Sequence, residues 1–152
     1  MGRSAMNLKH MYRFIFILSV LILSLPAAAQ PVHTPEKGSP ERKEVLDALR
    51  VPVEKELKQQ IIFAVDNLNV SGNWAFVGGS PQRPSGGQPD YNGTIYEDAL
   101  DSGAFDNNIF ALLKKTAGKW RVVVHQIGCT DVCYATWWKD HRAPKALFPY
   151  NY

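Results

Sequence analysis

Apolar positions at Val45, Leu46, Leu49, Val53 and Leu57 fall three or four residues apart. That spacing predicts an amphipathic helix over residues 40–58. Ser39-Pro40 supplies an N-cap and a first-turn proline, and Glu41 and Glu44 suit the positive end of the helix dipole. Pro52 lies inside this stretch and is expected to kink or split it. Residues 61–70, IIFAVDNLNV, are rich in β-forming side chains. Ser71-Gly72-Asn73 then reads as a turn, and a second strand starts at 74–77, so the two form a hairpin. Residues 108–115 and 119–127 repeat the pattern around Thr116-Ala117-Gly118. Between the hairpins, residues 78–93 hold many Gly, Pro, Ser and Asn and read as a long loop. Short helices are expected at 95–102 and 132–141.

The resulting fold class is α+β. An N-terminal helix packs on an antiparallel four-stranded sheet made of two hairpins, with short helices after the long loop and near the C-terminus. The element order is similar to that of cystatin-like and NTF2-like rolls, a likeness that carries no function by itself.

Residues 1–29 stand apart. Arg3, Lys9 and Arg13 precede the uncharged run FIFILSVLILSL, and Ala27-Ala28-Ala29 follows Pro26. This is the pattern of a cleaved secretory signal peptide. The run is shorter than the roughly 20 residues of an ordinary membrane span, and no cysteine follows it to carry a lipid. The expectation is a periplasmic or secreted protein with no membrane anchor after cleavage. Residues 30–38, QPVHTPEKG, read as a flexible leader. Residues 39–152 form one domain, large enough for a core of its own.

Charge alters the list of partners. The formal net charge is +3, and the three basic residues of the signal supply all of it. The remaining fourteen Lys and Arg balance fourteen Asp and Glu. Nucleic-acid binding relies on a basic surface and is not expected. The expected partner is another protein or a small ligand in the periplasm.

Three stretches resemble a group of small secreted bacterial proteins of unknown function: GSPERKEVLDALR from Gly38, VDNLNVSGNWAFV from Val65 and IFALLKKTAGKWRVVVHQIGCTDV from Ile109. The resemblance covers most of the chain after residue 29. It implies a periplasmic location, and it implies that a bridge to Cys133 is dispensable to the fold.

Candidate chemistry is sparse. Cys129 and Cys133 are spaced C-x-x-x-C, one residue too many for a redox C-x-x-C. Export favours a structural disulfide, with free thiols or redox work as alternatives. No paired zinc-ligand spacing is present and no cofactor motif appears. Simple alternation puts Asp66 on one face with Ile62, Ala64, Leu68 and Val70, and puts His125 on the face of Val123 and Ile127. If those faces meet, the two form an acid–base pair in a pocket under the 78–93 loop. If a bulge beside Asn67 intervenes, Asp66 turns outwards. The loop itself is either a flap over that pocket or a plain surface segment. Trp137, Trp138, Tyr134 and Phe148 offer an aromatic binding patch, unless the C-terminal tail folds back over them. The favoured function is a non-enzymatic binding domain, with a small roll-fold enzyme using Asp66 and His125 as the alternative.

Overall fold

The computed structural model describes residues 30–150. The expected signal peptide lies outside them. Helix α1 spans Pro40–Leu57, with Ser39 Oγ accepting from the Arg42 N–H at 3.3 Å. It ends at Lys58, whose φ of 56° is left-handed. The chain continues through β1 (Ile62–Ser71), β2 (Trp74–Gln82), α2 (Glu97–Asp101), β3 (Ile109–Thr116), β4 (Lys119–Ile127), α3 (Trp137–Asp140) and a 3₁₀ turn at Lys145–Leu147. The four strands form one antiparallel sheet in the order β1-β2-β3-β4. The α+β class and the two-hairpin sheet are those expected.

Local chemistry accounts for the turns. Gly72 stands first in the two-residue β1–β2 turn with φ 58°. Ala117 and Gly118 make the β3–β4 turn with φ 50° and 75°. Positive φ at these positions matches the twist of paired strands.

Helix α1 is one continuous element through Pro52. Proline there removes one intrahelical hydrogen bond, but Val45, Leu49, Val53 and Leu57 are all buried and anchor both halves on the sheet. Strand β2 also exceeds expectation. It continues through Gly78 and Gly79 to Gln82, so the irregular segment starts at Arg83. The glycines meet a packing need here: a Cβ on Gly78 would lie 3.2 Å from the Phe110 ring, and one on Gly79 would lie 2.1 Å from the Ala64 carbonyl oxygen.

The 30–38 segment, expected as a flexible leader, is docked. His33 and Val70 exchange both backbone hydrogen bonds at 2.9 and 2.8 Å. Ser71 Oγ donates to the Gln30 carbonyl at 2.7 Å, and Pro35 is buried.

Each face of the sheet carries a core. On one, the α1 stripe packs against Leu68, Val70, Val77, Leu113 and their neighbours. On the other, the C-terminal segment packs Tyr134, Trp137, Leu147 and Phe148 against Trp74, Phe76 and Leu112. Leu49 has no exposed surface. Leu49→Ala is therefore expected to cost about 2–5 kcal/mol. Lys43→Ala, at a residue whose side chain is largely in water beside Asp47, is expected to cost less than about 0.5 kcal/mol. Urea unfolding of the two variants checks the assigned helix face.

Candidate functional site

Two bulges decide where the candidate acid and base stand. In β1 the register slips between Val65 and Asn67, leaving Asp66 as the extra, exposed residue. Phe63 and Val65 then share the helix-side core with Leu68 and Val70, and Ile62 is 41% exposed. In β4 the register slips between Val122 and Val124, leaving Val123 40% exposed. His125 therefore shares the face of Trp120, Val122 and Ile127, where unbroken alternation had grouped it with Val123. Asp66 and His125 lie on the two outer strands of the sheet. Three strand spacings, about 14 Å, separate such strands. They do not form a dyad.

The carboxylate beside His125 is Glu56, near the end of α1. Glu56 Oε2 lies 2.7 Å from His125 Nε2. The other carboxylate oxygen accepts from the Tyr96 hydroxyl. Side-chain exposure is 19% for His125 and 24% for Glu56, so the cluster is largely screened from water. Tyr96 packs edge-on to Tyr91, and Phe105 contacts both rings. Tyr91 donates to Asn107 Oδ1 at 2.6 Å. The groups hold α1, β4 and the 83–108 segment together.

Burial raises both tyrosines. Tyr91 is pushed up to about 12. Tyr96 is pushed above the usual phenol range by burial first and the Glu56 carboxylate second. A raised folded value means that this stability is fully present below the unfolded value of about 10 and is lost as pH rises through the folded one. The urea midpoint is therefore expected to fall between about pH 10 and 12, and the fall is expected to be shallower in Tyr91→Phe. An unchanged alkaline limb in that variant counts against the assignment.

Glu56 and Tyr96 were missed from sequence. A faint signal existed for Glu56: it stands three residues beyond Val53 and seven beyond Leu49, on the flank of the apolar stripe. Tyr96 carried none, because a loop of many residues sets its position.

The expected aromatic patch is a core instead. Tyr134, Trp137 and Phe148 are 3%, 6% and 3% exposed. Trp138 is partly buried, with Lys145 Nζ 5.0 Å from its ring centroid. The C-terminal segment folds back onto the sheet because Phe76 and Phe110 present rings to it: Tyr134 lies 5.0 Å from the first and 4.6 Å from the second. These four side chains therefore do not form an open binding surface.

Cys129 and Cys133 form a disulfide across a Cα separation of 6.1 Å. It sits where β4 gives way to the C-terminal segment, and Asn108 bonds both the N–H and the carbonyl of Cys129. So short a loop contributes about 2 kcal/mol by chain entropy. The double variant Cys129→Ser, Cys133→Ser is expected to fold with a slightly lower Tm. Thiol titration of denatured, unreduced protein is expected to find no free thiol.

The long segment is tied down at its middle. Gln59 Nε2 donates to the Asp90 carbonyl at 2.7 Å, and the Asp90 N–H donates to Gln59 Oε1 at 2.9 Å. A groove of about 450 Å³ runs between α1 and the outer strand β1, lined by Lys37, Arg42, Leu46, Phe63, Ala64, Val65 and Asp66.

No family model, curated protein or solved structure matches the chain. Among the described residues no helix is long and apolar enough to cross a membrane, and no group of three or more His, Cys, Asp or Glu side chains is placed to hold a metal ion.

Proposed function

We propose that this chain is an exported, non-enzymatic domain that binds another protein or a small ligand in the periplasm. The observation that carries the reading is the closure of both sheet faces, one by α1 and the other by the C-terminal segment. A roll-fold enzyme needs an open concave face with convergent acid and base groups. Here Asp66 is exposed on β1, while His125, on the opposite edge strand of the sheet, is engaged by Glu56. Binding then falls to the outer surface. Export rests on the basic, apolar and small-residue pattern of residues 1–29.

The test is made in a bacterium that exports the chain. Amino-terminal sequencing of periplasmic material is expected to begin at or next to Gln30. A photo-crosslinking residue is placed at exposed Asp66 and, separately, at Ile95, which is 80% exposed. A discrete heavier adduct at either site supports the reading. Full-length chain retained in the inner membrane, or no adduct at either site, overturns it.

A further inference from the structure

We propose that the outer edge of β1, beside the Lys37–Arg42 groove, binds an extended segment of a partner protein with alternating acidic and apolar residues, by adding it as a strand. The inference rests on the binding-domain reading and names the partner's chemistry.

The edge already accepts an extended segment. Val70 spends its outward N–H and carbonyl on His33, in an antiparallel bridge. Continued in register from His33–Val70, the next position would set Leu68 opposite Pro35, which has no N–H to give. The chain's own segment therefore stops pairing there and turns towards α1. From Ile62 to Leu68 the outward side of β1 has no backbone partner among the described residues. Such an edge is a template for strand addition. The bulge at Asp66 interrupts it, which limits the regular accepting stretch to residues 62–65 and guards against longer, unselective pairing.

The groove sets the preference. Its wall has apolar Leu46, Phe63 and Val65, two cations and one carboxylate. Arg42 gives one guanidinium N–H to the Pro35 carbonyl at 3.3 Å. Lys37 has no ion-pair partner among the described residues. Side chains of an added strand alternate, so one face reaches this wall. Strict alternation puts all its acidic side chains on that face, where they meet Lys37 and Arg42, and all its apolar side chains on the other, beside Ile62, which is 41% exposed. A second copy of this chain is a poorer occupant. Isologous β1–β1 pairing brings the same two cations from both sides to one contact.

The experiment uses the exported protein and three fluorescein-labelled, C-terminally amidated peptides. One alternates Glu and Val, one alternates Lys and Val, and one is the Glu–Val peptide with every second backbone nitrogen methylated. Fluorescence anisotropy is expected to show saturable binding of the first alone. Lys37→Glu is expected to weaken it about tenfold without changing Tm. No saturation by about 1 mM, equal binding of the N-methylated peptide, or no effect of Lys37→Glu overturns the inference. Concentration-dependent dimerisation that is abolished by Lys37→Glu also overturns it and assigns the edge to a second copy. If the peptides fail while the Ile95 crosslink persists, the edge proposal falls alone. If neither crosslinking site gives an adduct, the binding-domain reading falls with it.

Discussion

Gly79→Ala is expected to destabilise the protein by at least about 3 kcal/mol, at the severe end for a single added methyl group. Gly79 lies opposite Val65, beside the β1 bulge. A Cβ built there sits 2.1 Å from the Ala64 carbonyl oxygen and 3.0 Å from Val65 Cα. Both neighbours are backbone, so no rotamer change relieves the contact. The strands must move apart, and the hydrogen bonds of the β1–β2 ladder weaken with them. Gly78 is the control. Its nearest neighbours are atoms of the Phe110 ring, 3.2 and 3.3 Å away, and a ring can shift by a few tenths of an ångström. Gly78→Ala is therefore expected to cost less than Gly79→Ala by about 2 kcal/mol. A domain of this size has about 5–15 kcal/mol of stability, so both variants remain measurable by urea unfolding. Hydrogen exchange in Gly79→Ala is expected to lose protection first along β1. Equal costs at the two glycines would mean that the close approach of β1 and β2 is not a constraint on the fold.

The same pair of glycines shows why some of this molecule was legible in sequence and some was not. Periodicity located α1, because one stripe of Val45, Leu49, Val53 and Leu57 enters one core. Turn chemistry located both hairpins, because Gly72 and Gly118 carry the positive φ those turns need. Gly78 and Gly79 have the same composition signal but a different cause. They clear space for the backbone of β1 and the ring of Phe110, and a single sequence does not distinguish that need from a loop. The candidate pair failed on strand order, and the bulge weighed beside Asn67 turned Asp66 outwards. A bulge adds one residue and reverses every inside-outside assignment beyond it. The bulge at Asp66 turns that side chain outwards, and the strand order sets β1 and β4 at opposite edges of the sheet, so the pair that alternation had joined stands apart. Glu56 and Tyr96 stand 69 and 29 residues from His125 in the chain, and only the tertiary fold brings them to it. The tail was ambiguous for a further reason. An apolar aromatic segment reads alike whether it covers a sheet or awaits a partner, and the answer depends on what the opposite face offers.

Phe76 is what that face offers, and it carries the second large prediction. Its side chain has no exposed surface. Its ring centroid lies 5.0 Å from those of Tyr134 and Phe148, and 6.3 Å from that of Phe110. Phe76→Ala removes the centre of this cluster, at an expected cost of about 3–5 kcal/mol. The loss is not spread evenly. The α1 core lies on the other side of the sheet and shares none of these rings. The C-terminal segment is held by the cluster and by a bond from Asn69 Nδ2 to the Leu147 carbonyl at 2.8 Å. Without Phe76 the segment has less to gain by docking than it loses in conformational freedom, at about 1–2 kcal/mol per fixed backbone residue. Residues 134–148 are therefore expected to open locally before the sheet unfolds. Trp137, only 6% exposed in the intact protein, then meets water. A red-shifted tryptophan emission is expected at urea concentrations where the far-ultraviolet circular dichroism is still native. Hydrogen exchange is expected to show lost protection over residues 134–148 with β2 and β3 still protected. One coincident transition by both probes would instead make the C-terminal segment and the sheet a single cooperative unit, and the second core inseparable from the first.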